Sequence, residues 1–343
     1  MLRENRMSLE QSITQHDMKK TTYGRLRPFL GPVSLLAIIA IFGSLYPDTF
    51  LSPTNLVTNI LESVAFVGIV AAAQTVVMVV GDFDLAVGGL AAFATSTTAG
   101  MLTTAGLDGT PHTPGAVLPA VLIGLAVGLV GGALSGFLVS YVGVLAFIAT
   151  LGMAGVFSSL AYYASDGKPV YGLVERNFVD IARGTSLGLS NKIWIMLIFA
   201  AIIWFILDQT PLGRRMYAVG GNPEAARYSG INTKLIRMVA FTICGVGAAL
   251  GGLLGSASTA TANVTATQPF MLNSIAAVFI GMAMFRNGKP NLPGTILGVI
   301  TLRTLENGLN FTSINDFLQS AITGAVVVIA VIPSALSRIR QSR

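Results

Sequence analysis

The sequence predicts an all-α integral membrane protein, a polytopic bundle of about ten transmembrane helices with both termini in the cytoplasm. Three observations carry that prediction. Apolar residues make up 53% of the 343 positions and charged residues only 10%, where an ordinary soluble domain has about 25% charged residues. The mean hydropathy is +0.72. The apolar residues gather into runs near the roughly 20 residues that an α-helix needs to cross a hydrocarbon core, and most Lys and Arg residues fall between alternate runs.

Taken in order, the spans are Phe29 to Tyr46, Leu56 to Val80, Phe83 to Ala105, Ala116 to Ser140, Val142 to Ala164, Ile193 to Leu207, Leu235 to Ser258, Phe270 to Phe285, Pro293 to Leu309 and Phe317 to Ile332. The sixth and eighth are short, and only Gly81 and Asp82 separate the second from the third, so counts of nine or eleven stay open. Ten also satisfies the charges. It places Arg3, Arg6, Lys19, Lys20, Arg25 and Arg27 of the N-tail on one face with Arg214, Arg215, Arg227, Lys234 and Arg237 after the sixth span. Arg338, Arg340 and Arg343 at the end of the chain join them. This is the positive-inside bias, which makes that face cytoplasmic. The net charge of +6 therefore points to orientation and to contact with anionic lipid headgroups, not to nucleic acid.

Residues 1–27 are polar and mixed in charge, and they lack the apolar core of a signal peptide. They read as a disordered cytoplasmic tail retained in the mature chain. Residues 28–337 form the transmembrane domain, with a cytoplasmic loop at 209–234 and a loop on the other face at 165–192; residues 338–343 are a basic cytoplasmic tail. Cys244 is the only cysteine. It permits no disulfide within the chain and reads as a small packing residue.

The 38 glycines are costly in soluble helices but allow membrane helices to approach closely. Gly124, Gly128, Gly132 and Gly136 recur every fourth residue on one face of the fourth span, and Gly247, Gly251 and Gly255 do so on the seventh. Both faces are expected to pack against other helices.

Catalytic signatures are missing from the sequence. His16 and His112, the two histidines, have no metal-ligand spacing around them, and there is no C-x-x-C. A P-loop is ruled out because Gly167-Lys168 and Gly288-Lys289 are each followed by proline. Neither a metal site nor ATP hydrolysis by that route is expected, and the chain does not read as an enzyme.

Four features stand above this background. The loop after the sixth span contains its own short helix: Asn222 is a good N-cap, Pro223 suits the first helical position, Glu224 favours the positive end of the dipole and Gly230 is a natural stop. A helix of about two turns is marginal alone, so a partner is expected to dock against it. The second feature is the pair Asp82 and Asp84, costly near hydrocarbon. Asp84 caps the third helix, with Gly88 and Gly89 allowing close packing, or else lies in a broken helix along a translocation path. Third come polar residues within apolar spans, namely Glu62, Gln74, Asn263, Gln268, Asn273, Glu306, Asn307 and Asn310. They serve either as interhelical hydrogen bonds or as donors and acceptors for a hydroxylated solute. Last, the loop from Ser165 to Lys192 carries Asp166, Lys168, Glu175, Arg176, Asp180, Arg183 and Lys192, a mixed-charge surface suited to docking or to plain solvation.

The residues Glu224, Ala225, Ala226 and Gly230 form E-A-A-x-x-x-G, which resembles the loop by which ABC importer permeases engage their ATP-binding subunit. The wider stretch L-G-R-R-M-Y-A-V-G-G-N-P-E-A-A-R-Y-S-G-I-N is similar to the permeases of ribose-type monosaccharide importers. So are G-D-F-D-L-A-V-G-G at Gly81 to Gly89, A-T-L-G-M at Ala149 to Met153 and E-N-G-L-N at Glu306 to Asn310. Together they cover about residues 50–333. Departures occur around the eighth span, where Asn273 stands at a frequent Asp and Met282 to Phe285 replace a small polar run; Asp82 is likewise particular to this chain.

The resemblance implies a permease subunit in a bacterial inner membrane, carrying a monosaccharide or polyol. It implies a coupling loop made of Gly220, Gly221, Asn222, Pro223, Glu224, Ala225, Ala226, Arg227 and Gly230. Of the polar residues inside the spans, Gln74, Asp84, Asn263, Asn273, Asn307 and Asn310 are the candidates for a translocation path or gate. Implied partners are a cytoplasmic ATP-binding subunit that holds ATP and Mg, a periplasmic solute-binding protein, and a second permease subunit, identical or homologous. No cofactor is expected in this chain. The alternative is a secondary, ion-coupled transporter, for which Glu62 and Glu306 are the candidate carboxylates.

Overall fold

The computed structural model describes residues 30–103, 117–173, 176–284, 288–312, 314–315, 318–319 and 321–325. The tail 1–27, the basic end 338–343 and most of the tenth predicted span lie outside them.

The described chain is almost entirely helical. In order, α1 is Leu30–Leu45, α2 Asn55–Val79, α3 Val87–Leu102, α4 Val117–Val142, α5 Ala146–Ala164, α6 Arg176–Arg183, α7 Asn191–Gln209, α8 Pro211–Gly221, α9 Pro223–Tyr228, α10 Thr233–Thr259, α11 Val264–Thr267, α12 Pro269–Met284 and α13 Leu292–Asn310. Among the described residues, six stretches are long and apolar enough to cross a membrane: α2, α4, α5, α7, α10 and Val264–Met282. Two shorter apolar helices coincide with the first and third predicted spans, and α13 with the ninth.

Burial separates centre from rim. From Val64 to Val79 every residue of α2 except Phe66 is buried, so this helix is surrounded by others. Beside it α10 packs on α4, α2 and α3, while α3 packs on α5 and α12 on α13. On α4 and α5 one side turns outward, exposing Leu118, Leu122, Leu129, Val130, Phe147, Ile148 and Leu151. A contiguous apolar surface of that kind is out of place in water and fits acyl chains.

Local sequence explains the interruptions. Gly81, at φ +92°, ends the second span, and residues 81–86 run without helix before α3 starts at Val87. The third helix therefore begins four residues later than the Phe83 start that the sequence predicts. Ala86, not Asp84, stands at its N-cap position. The loop at 165–192 is more structured than its composition suggests. It holds α6 and three two-residue strands, of which β1 (Val170–Tyr171) pairs with β4 (Thr261–Ala262), and β2 (Thr185–Ser186) with β3 (Leu189–Ser190), both antiparallel.

Candidate functional site

Two regions at opposite ends of the bundle carry most of the polar structure. At the end bearing Arg237, the segment between α7 and α10 folds into α8 and α9. Thr210 caps α8 by accepting from the Gly213 N–H at 3.3 Å, and Met216 and Val219 seat the helix with no exposure. Asn222 then starts α9, its Oδ1 accepting from the Ala225 N–H at 3.0 Å with Pro223 next in the chain. Gly230, at φ +80°, closes the helix, and the Ile231 N–H donates to the Ala226 carbonyl at 3.1 Å. Only Ala226 of α9 is buried; Pro223, Glu224, Ala225, Arg227 and Tyr228 face outward. The Arg227 guanidinium lies 5.6 Å over the Tyr228 ring. A Cβ on Gly220 would collide with the Val79 carbonyl, whereas Gly221 meets nothing within 4 Å.

Gln74 and Asp84 meet at the same end. Oriented to pair both its groups, the Gln74 amide donates to the Asp84 carbonyl at 3.3 Å and accepts from the Asp84 N–H at 3.1 Å. Cys244 Sγ packs 3.4 Å from that amide. The Asp84 carboxylate accepts from the Ala86 N–H at 2.8 Å and is almost wholly buried. It stabilises the non-helical turn rather than the helix itself. Beside it Asp82 forms a two-pronged ion pair with Arg237, both hydrogen bonds at 2.7 Å.

The opposite end holds a cavity of about 520 Å³ lined by Thr58, Asn59, Glu62, Ser63, Phe66, Lys192, Ser258, Arg303, Glu306, Asn307, Asn310 and Phe311. The first turns of α2 are π-helical. Lys192 joins α7 to α2 through Glu62 at 2.6 Å and to α10 through the Ser258 hydroxyl at 3.1 Å. Arg303 donates to Glu306 one turn along α13. Asn55 and Asn307 exchange two hydrogen bonds, at 2.8 and 3.0 Å, and Asn59 donates to Asn55 at 2.8 Å. Two acids thus face two bases, and short donors and acceptors line the space. Such a surface suits a small polyhydroxylated solute.

A second cavity of about 210 Å³ shares Phe66 and Ser258 with the first and includes Asn263, Gly255 and Thr267. Asn263 caps α11, accepting from the Thr265 N–H at 3.0 Å. Gln268 reaches across to Ser158 at 3.3 Å, and Asn273 is buried on α12. The six polar residues proposed for one path therefore divide: Asn307 and Asn310 line the large cavity, Asn263 the small one, Gln74 with Asp84 the far turn, and Asn273 is buried on α12 outside both cavities.

The glycine faces are resolved one by one. Gly128, Gly132 and Gly136 lie against the Met238–Ala249 stretch of α10, and Gly124 against Thr98 and Leu253. Gly247 and Gly251 meet Ala73 and Val70 of α2. Gly255, expected to pack on a helix, has nothing within 4 Å and opens on the second cavity; its spacing sets its face, but that position looks into open space. Sequence reasoning missed Gly245, which meets Gly128 and Gly132. It also missed Asn55, Asn59 and Arg303, and left Lys192 in the loop. For Arg303 a signal was present: a charge inside an apolar stretch, three residues before Glu306.

The comparisons with known proteins add the family. Residues 56–331 match the model of a permease family described as branched-chain amino acid transport system / permease component. The ribose import permease protein RbsC of Bacillus subtilis (strain 168) is 34% identical over 93% of this chain and 96% of its own length. The D-allose transport system permease protein AlsC of Escherichia coli (strain K12) is 34% identical over 87% and 88%. The probable ABC transporter permease protein YphD of the same strain is 32% identical over 98% and 95%. No solved structure matches. A bundle of long apolar helices, a polar cavity at one end and a capped exposed helix at the other, read with these matches, show that the chain belongs to the permease family described as branched-chain amino acid transport system / permease component.

Proposed function

We propose that this chain is the transmembrane subunit of an ATP-driven importer for a monosaccharide or related polyol. It crosses a bacterial inner membrane about ten times, with both termini in the cytoplasm. The observation that carries the reading is α9, fixed at both ends and turned outward at the basic end of the bundle. A separate ATP-binding subunit holds ATP and Mg and presses on α9; a solute-binding protein delivers substrate near α6 and the β2–β3 hairpin; and a second permease subunit, identical or homologous, completes the path. The resident chain contributes no covalent chemistry.

A sugar fits better than a branched aliphatic amino acid. The lining of the large cavity is dominated by ions, amides and hydroxyls, with Phe66 and Phe311 as its aromatic members, so an isobutyl group finds no apolar pocket there. Three relatives at this similarity carry ribose, D-allose or ABC transporter in their names. Ion coupling is disfavoured because both candidate carboxylates are already engaged, Glu62 by Lys192 and Glu306 by Arg303. The test is a complex reconstituted with its ATP-binding and solute-binding partners, carrying Glu224→Ala with Gly230→Leu. Loss of uptake and of binding-protein-stimulated ATP hydrolysis is expected; unchanged coupling would overturn the assignment of α9.

A further inference from the structure

A helix of six residues with one buried side chain does little by itself, so what α9 moves must be its neighbours. Both of them grip the same short turn. On the N-terminal side, α8 lays the Gly220 backbone on the Val79 carbonyl, and a Cβ on Gly81 would stand only 3.7 Å from Gly220 Cα. On the C-terminal side, Asn232 caps α10 through the Leu235 N–H at 3.1 Å. One turn further, Arg237 reaches back to Asp82, Nε to Oδ2 and Nη2 to Oδ1, each at 2.7 Å.

We propose that Asp82 and Arg237 are positioning residues for transport, forming a strut that carries the displacement of α9 to the turn between α2 and α3. The proposal rests on α9 being the contact for an ATP-binding partner. The pair suits the task physically. A two-pronged guanidinium–carboxylate contact fixes direction as well as distance, which a lysine ammonium does not. Its side chains are 31% and 11% exposed, beside a cavity of about 160 Å³ that also admits Tyr217, Gly220 and Lys289, so solvent screens it less than a surface pair. The turn it holds leads in two residues to Asp84, whose peptide is clamped by Gln74, and then into α3 at Val87. Movement delivered to Asp82 is thereby passed to a helix packed on α4, α5 and α10.

The experiment uses the whole complex in proteoliposomes, with radiolabelled D-ribose and D-allose as probes, and reads sugar transported per ATP hydrolysed. Asp82→Asn and Arg237→Lys are each expected to lower that ratio about tenfold, within the roughly 5- to 150-fold range of site-to-site couplings, while assembly on a sizing column is kept. The swap Asp82→Arg with Arg237→Asp is expected to recover at least half of the ratio. Merely structural residues would lower the yield and leave the ratio alone. An unchanged ratio in both single variants overturns the strut, and if Glu224→Ala with Gly230→Leu still uncouples, the reading of α9 stands without it. Should the single variants fail to assemble, an assembled swap with a restored ratio supports the strut and one without it overturns it. No ATP-dependent uptake of either sugar by the unsubstituted complex removes both the reading and the strut.

Discussion

Substituting Gly132 by alanine should loosen the centre of the bundle, and the size of the effect can be worked from the α4–α10 contact. A Cβ at Gly132 would stand 2.5 Å from the Phe241 carbonyl oxygen and 3.0 Å from Gly245 Cα. Ordinary contact begins near 3.4 Å, so α4 must withdraw by about 1 Å. Both obstacles are helical backbone, which cannot rotate aside as a side chain does. A gap of about 1 Å forfeits roughly a quarter to a half of each dispersion contact along the seam, including those of Gly128 and Gly136. The expected cost is about 1–3 kcal/mol, the usual penalty for overpacking. Gly152→Ala on α5, where nothing stands within 4 Å, serves as the control. Thermal unfolding in detergent should show a clear drop in Tm for Gly132→Ala and none for Gly152→Ala. Equal Tm values for the two variants would refute the close approach of α4 and α10.

Lys192→Met should lower Tm more than Lys192→Met combined with Glu62→Met, because removing one member of a largely enclosed pair strands the other at a cost of roughly 2–3 kcal/mol; the reverse order would mean that the pair is not formed. Asn222→Ala removes the cap of α9 at about 1 kcal/mol, so trypsin should cut faster after Arg227 while the global Tm stays put, and an unchanged cleavage rate would contradict the capped helix. In a Cys244→Ser background, an impermeant maleimide should label Leu187→Cys from outside intact cells and Tyr228→Cys only from the inner face. Those positions are 90% and 82% exposed, and labelling of both from one side would contradict the proposed orientation.

Helices were legible in the sequence because each depends on its own run of residues. Apolar stretches of near-spanning length locate α2, α4, α5, α7 and α10 to within a few positions, and the Asn222–Pro223–Glu224 and Gly230 signals mark α9 directly. Pairings between distant residues were not legible. Asp82 and Arg237 lie 155 positions apart and Asn55 and Asn307 lie 252 apart, and no local pattern says that the two will meet. Glycine spacing names the face of a helix but not what covers it, which is why Gly255 was expected to pack and instead borders a cavity. The Asp84 turn was half legible: the acidic residue flagged an interruption, but the peptide clamp from Gln74 depends on how α2 is rotated.

Accumulation of radiolabelled D-ribose or D-allose by proteoliposomes holding the complete complex tests the central claim most directly, with ATP inside and the solute-binding protein outside. The account predicts uptake that requires both and persists when ionophores collapse the ion gradients. Uptake driven by an imposed proton or sodium gradient without ATP would contradict it.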